Sequence, residues 1–121
     1  MSVREKLTEN FYRDEFECNC GCGFNEINFD LVNRIQRVRE AYGPISISSG
    51  CRCESWNKEV NGSRHSSHLK GYALDILCGN SRDRYRLLLK LNLFFDRIGI
   101  QKKFIHVDTD AGKISESCWV Y

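Results

Sequence analysis

The sequence predicts an α+β fold in which an antiparallel sheet packs against helices. Three observations carry this. Two stretches with helical periodicity are separated by strand-like runs, and the two kinds do not alternate regularly, which argues against a doubly wound parallel sheet. Ile98 to Ile100 and Phe104 to Asp108 are strand-like and joined by Gln101-Lys102-Lys103, as in a hairpin. A length of 121 residues suits one domain, residues 1–121, able to bury roughly two-thirds of its unfolded surface.

In chain order, residues 1–17 form an N-terminal segment with Phe11, Tyr12 and Phe16 as anchors, and Cys18 to Gly23 (CNCGCG) is a tight loop. Asn28 to Tyr42 is helical, because Leu31, Val32, Ile35 and Val38 make one apolar stripe opposite Arg34, Arg37, Arg39 and Glu40. Gly43-Pro44 stops that helix, and Ile45 to Ser48 alternates apolar and polar as a short strand does. Ser49-Gly50 turns the chain into a polar stretch from Cys51 to Lys70, and Tyr72 to Leu77 is a buried strand. Ser81 caps a second helix that runs to about Asp96 and buries Tyr85, Leu88, Leu89, Leu91 and Phe95. Trp119 to Tyr121 is a final short strand.

Composition removes several function classes. A charged fraction of 28% with 41% hydrophobic residues is that of a globular protein. A net charge of +2 is too small to argue for nucleic acid. No apolar run reaches the length of a membrane span. The first residues, MSVREKLTEN, lack the apolar stretch of a signal peptide, so the expected place of synthesis is the cytoplasm, a reducing compartment. A monomer that binds neither nucleic acid nor membrane is expected.

The chemistry concentrates in Ser66-Ser67-His68-Leu69-Lys70-Gly71-Tyr72-Ala73-Leu74-Asp75-Ile76, together with His106 in the strand Phe104 to Asp108. Two imidazoles and one carboxylate suit catalytic zinc, with three protein ligands and a fourth position left for water. Asp75 interrupts an apolar strand, where an ionised carboxylate is costly unless it is paired or bound to metal. A turn histidine is more often a surface residue, and a strand aspartate is often salt-bridged, so the spacing alone leaves both readings open.

The run SSGCRCESWNKEVNGSRHSSHLKGYALDI followed by FIHVD resembles the zinc D-alanyl-D-alanine carboxypeptidase and endopeptidase family, peptidases of peptidoglycan cross-link peptides that include phage endolysins. Ser66, His68, Gly71, Ala73 and Asp75 match its pattern S-x-H-x-x-G-x-A-x-D, and Ser49-Gly50-Cys51-Arg52 matches S-G-x-R. The resemblance covers nearly the whole chain. It implies the fold shared by hedgehog proteins and these peptidases, Zn2+ on His68, Asp75 and His106, and a peptidoglycan peptide as substrate. It also implies that Arg52 meets the substrate's carboxylate or the oxyanion. Ser66 is expected to support the site by hydrogen bonding. Localisation would then be cytoplasmic as synthesised, with action on the cell wall after release.

The chain departs from the pattern at the general base. Many relatives carry glutamate three positions, or histidine two positions, before the last ligand, where this chain has Lys103 and Phe104. Strand alternation puts Phe104, His106 and Asp108 on one face. Asp108 is therefore the candidate to act as catalytic base or to orient His106. The alternative function is a non-catalytic zinc module with a structural, wall-recognition or protein-partner role.

The remaining candidates weigh towards structural roles. His65 is expected at the cleft edge or on the surface. Cys18, Cys20 and Cys22 form C-x-C-x-C, and Cys51 and Cys53 form C-x-C. Structural zinc sites usually space paired cysteines further apart, so reduced thiols in compact loops stand beside a second metal site or disulfides. Cys78 and Cys118 are expected as buried small apolar groups. Trp56, Tyr72 and Trp119 are candidates either for the core or for the cleft wall.

Overall fold

A computed structural model describes residues 3–121. Its elements are helices α1 (Phe29–Tyr42), α2 (Glu54–Glu59) and α3 (Ser81–Phe94), and strands β1 (Ile47–Ser49), β2 (Ala73–Leu77), β3 (Arg97–Ile100), β4 (Phe104–Asp108) and β5 (Ser117–Val120). Short 3-10 turns span Arg13–Phe16 and Ser67–Lys70. The strands make one five-stranded sheet in the order β1-β2-β4-β3-β5. Every neighbouring pair is antiparallel except β3 and β5, which run parallel. The fold is α+β, as the mixed pattern implies.

Alternation along the strands divides the sheet into two faces. Leu74 and Ile76 of β2, Ile105 and Val107 of β4 and Ile98 of β3 are buried on one face, together with Leu31 and Ile35 of α1 and Leu87 and Leu91 of α3. Each such side chain contributes roughly 1.5–3 kcal/mol by leaving water. Phe11 and Phe16 join the same core and pin the N-terminal segment. The opposite face carries Asp75, His106 and Asp108, all buried despite their charge or polarity.

α1 begins where Asn28 accepts the Leu31 N–H, and it ends at Gly43, as the Gly-Pro signal indicates. α3 differs from expectation in its cap and its face. Asn80, not Ser81, caps it by accepting from Asp83 N–H, and the helix ends at Phe94. Leu87 and Leu91 form its buried stripe, while Tyr85 and Leu89 face solvent. Its run LLLKLNLF is apolar on more than one side, so periodicity alone does not select the face. The polar stretch from Cys51 contains the unanticipated α2, whose six residues are too few to show a stripe. Cys118 is exposed, not buried, on the edge strand β5.

Candidate metal centre and cleft

The sheet register assembles the site. Ser49 lies opposite Asp75, Asp75 opposite His106, His106 opposite Gly99, and Gly99 opposite Trp119. One row across five strands thus presents a hydroxyl, a carboxylate, an imidazole, a gap and an indole. The gap is required, because a Cβ on Gly99 would stand 2.6 Å from the Trp119 ring. With glycine there, the indole packs 5.4 Å from the His106 ring, centroid to centroid.

His68 reaches the row from the 3-10 turn. Ser66 caps that turn, its hydroxyl accepting the His68 N–H at 3.2 Å. Gly71 closes it with φ of 76°, and a Cβ there would lie 2.1 Å from the Glu26 carbonyl oxygen. Conformation and close approach both demand glycine at this position of the motif. Ser67 ties the turn to the segment after β4 by donating to Asp110 at 2.8 Å.

Hydrogen bonds set the imidazole tautomers. His68 Nδ1–H donates to the Gly50 carbonyl at 2.6 Å, which leaves Nε2 facing Asp75 Oδ1 at 3.1 Å. His106 Nε2–H donates to Asp108 Oδ2 at 2.8 Å, which leaves Nδ1 facing the same Asp75 oxygen at 3.1 Å. A neutral ring whose one proton is committed elsewhere offers only a lone pair. Two lone pairs and a carboxylate oxygen therefore converge, and that arrangement calls for positive charge between them. The three ligand atoms lie within 4.8 Å of one another. Zinc with bonds of about 2.0–2.1 Å would set such atoms roughly 3.3 Å apart. The residues fit a small divalent cation.

The electrostatics differ between the two rings. Burial holds the His68 pKa below that of a free imidazole, so the ring stays neutral, as a ligand must be. Burial also opposes charge on His106, but Asp108 and Asp75 outweigh it and raise its pKa. Burial alone would raise Asp75; the facing imidazoles outweigh it and hold the carboxyl well below its usual range.

Arg52 grips the far side of Asp75. Its Nη2–H donates to Asp75 Oδ2 at 3.0 Å, while Nε–H donates to Ser49 and Nη1–H to Asn57. Asp108 is similarly committed. Beyond His106, its Oδ1 accepts from Arg97 Nε–H at 2.7 Å and from the Asp110 N–H at 3.2 Å. Arg97 also donates to the Ile114 carbonyl and stacks 4.8 Å above the Trp119 ring.

Arg52, Ser66, His68, Asp75, His106 and Asp108 all line one cavity of about 430 Å3. Trp119 lines it too, whereas Trp56 and Tyr72 do not. His65 is exposed and outside it, with its carbonyl receiving Lys113 Nζ–H at 2.7 Å. Arg97, Lys113 and Tyr121, which belong to no motif of the sequence, also face the cavity. Only the hairpin register, which brings Arg97 beside Asp108, marks that arginine.

Fold and cluster together define a small α+β protein with a cleft lined by a His-Asp-His group able to hold a metal ion. The chain belongs to the peptidase M15 family, the zinc D-Ala-D-Ala carboxypeptidase family, whose model matches residues 9–108 and so spans all three candidate ligands. No curated protein matches the sequence. Among the described residues, no helix is long and apolar enough to cross a membrane.

Proposed function

We propose that this chain is a zinc-dependent peptidase that hydrolyses amide bonds in peptidoglycan stem peptides, as a D-Ala-D-Ala carboxypeptidase or endopeptidase in phage or prophage lysis. The observation that carries the reading is the convergence of His68 Nε2, His106 Nδ1 and Asp75 Oδ1 at the floor of an open cleft. Zinc, when bound, supplies Lewis-acid polarisation of an amide carbonyl and of water.

The chain's own groups do the rest. Gly50 and Asp108 fix the two imidazole tautomers. Arg52 holds Asp75 in place, and its guanidinium lines the cleft beside the ligands, suited to a substrate carboxylate or to charge developing on the carbonyl oxygen. Ser66 fixes the turn that delivers His68. Lys113 and Arg97 add positive charge to the wall, which favours an acidic peptide. Trp119 and Phe104 give an apolar flank for alanine side chains. Of the two roles open to Asp108, the orienting one is favoured, because both its oxygens are engaged by His106 and Arg97.

That engagement also favours a second reading, a non-catalytic zinc module that recognises the wall. Among the described residues, the carboxylates lining the cleft are Asp75 and Asp108, and neither is free to take a proton from water. Mass spectrometry of purified peptidoglycan incubated with the protein separates the two. New termini at one defined amide, lost with chelator and restored by zinc, support the peptidase. Zinc-dependent binding with no new termini supports the recognition module.

A further inference from the structure

Outside the cleft, the loop Cys18 to Gly23 and the segment Cys51 to Cys53 bring four thiols together. Cys18 Sγ stands 3.4 Å from Cys20 Sγ and 3.8 Å from Cys53 Sγ, and Cys20 Sγ stands 3.6 Å from Cys53 Sγ. Cys22 completes the group, with all four sulfurs within 4.8 Å of one another. All are free thiols. A tetrahedron with zinc–sulfur bonds of about 2.3 Å has edges of about 3.8 Å. From this we infer a second metal site: Cys18, Cys20, Cys22 and Cys53 bind a structural zinc ion as a closed tetrathiolate, independently of the cleft.

The backbone is shaped for it. Cys18 N–H donates to the Phe24 carbonyl at 2.8 Å and Gly21 N–H to the Cys18 carbonyl at 3.1 Å, which folds the loop onto itself. Gly21 and Gly23 have φ of 83° and 93°, a turn that residues with a Cβ rarely make. Cys18 and Cys22 then have the ordinary spacing of a zinc knuckle, with Cys20 folded in between. Backbone N–H groups already point at the sulfurs. Cys53 N–H donates to Cys18 Sγ at 3.4 Å and Trp56 N–H to Cys53 Sγ at 3.5 Å. Such N–H···S bonds stabilise thiolate ligands.

Zn2+ binding displaces the thiol protons to solvent and leaves a tetrathiolate of net charge −2. Nothing is oxidised or reduced.

The ion would tie the N-terminal loop to the residue next to Arg52 and to the cap of α2, whose Asn57 also holds Arg52. It is thus a clamp beside the cleft, not part of it.

The test uses the full chain purified with zinc under reducing conditions. Elemental analysis should give two zinc ions per chain, one in His106→Ala and one in Cys22→Ser. The cobalt-substituted protein should show thiolate-to-metal charge-transfer absorption, kept in His106→Ala and lost in Cys22→Ser. Cys20, Cys22 and Cys118 are all exposed, so a soluble alkylating reagent supplies an internal control. Cys118 should react at once, and Cys20 and Cys22 only after the zinc is stripped. Equal alkylation of the three, a zinc content unchanged by Cys22→Ser, or disulfides among these cysteines in the freshly purified protein would overturn the site. Because His106→Ala empties only the cleft, failure of the peptidase reading leaves this result readable.

Discussion

The two donor clusters of this domain are built by opposite means. His68, Asp75 and His106 come from a turn and two strands, and a buried ladder with two arginine clamps sets their positions. The four cysteines come from a loop and a helix cap, with Cys18 buried, Cys53 half-buried, and Cys20 and Cys22 exposed. In the first, backbone register and packing preorganise the ligands before any ion arrives. In the second, loop turns and backbone N–H groups bring the sulfurs together near the surface. On the readings proposed above, one fold holds a cation for its chemistry and another for its shape, and removing each should have different consequences.

The largest expected effect is at Asp75. Asp75→Ala removes a proposed ligand and leaves Arg52, whose side chain is 13% exposed, without its carboxylate. Breaking such a buried pair costs about 3–5 kcal/mol. Urea unfolding should show that loss, and peptidoglycan hydrolysis should fall to the blank. An unchanged midpoint would mean that the ladder holds the site without the pair.

Chelation tests the contrast directly. Hydrogen exchange should keep amides of β2 and β4 protected after both ions are removed, while residues 18–24 and 51–57 lose protection. Equal loss in both regions would erase the distinction.

A smaller effect is expected one bond away from the ligands. Asp108→Ala frees the His106 ring and should weaken zinc binding in the cleft by about 10–100-fold, measured by competition with a chromogenic chelator. The thiolate absorption of the cobalt form should not change.

The smallest is a pH effect at Asp110. Burial works against its charge, but the Ser67 hydroxyl and the Gly112 N–H outweigh it and lower its pKa. Protons therefore bind the unfolded chain first. The stabilisation is complete above the unfolded value of about 3.9 and is lost as pH falls through the lower folded value. Asp110→Asn should flatten that part of the acid stability curve relative to the parent, and parallel curves would refute the assignment.

Much of this architecture is legible in the residue order. Asp75 interrupting an apolar strand, the glycine at position 71 and the alternation through His106 all carry their meaning locally. Other features depend on partners that periodicity does not report. α2 is short and its cap is a thiol, so neither its length nor its first residue signals a helix. The exposed stripe Tyr85 and Leu89 looks as apolar as the buried Leu87 and Leu91, and only packing against α1 decides between them. Arg97 has no local pattern. Its importance comes from the hairpin that puts it next to Asp108. The parallel pairing of β5 with β3, which brings Trp119 to His106, likewise leaves no trace in spacing.

The row from Ser49 to Trp119 has an evolutionary corollary. Asp75 of β2 faces the cleft, and its neighbours Leu74 and Ile76 face the helices. A one-residue insertion inside β4 would send its imidazole into the oily interior and a valine or isoleucine out to the cleft. Chemistry and solubility would fail together, so these strands tolerate an exchange of residues but not a change of length.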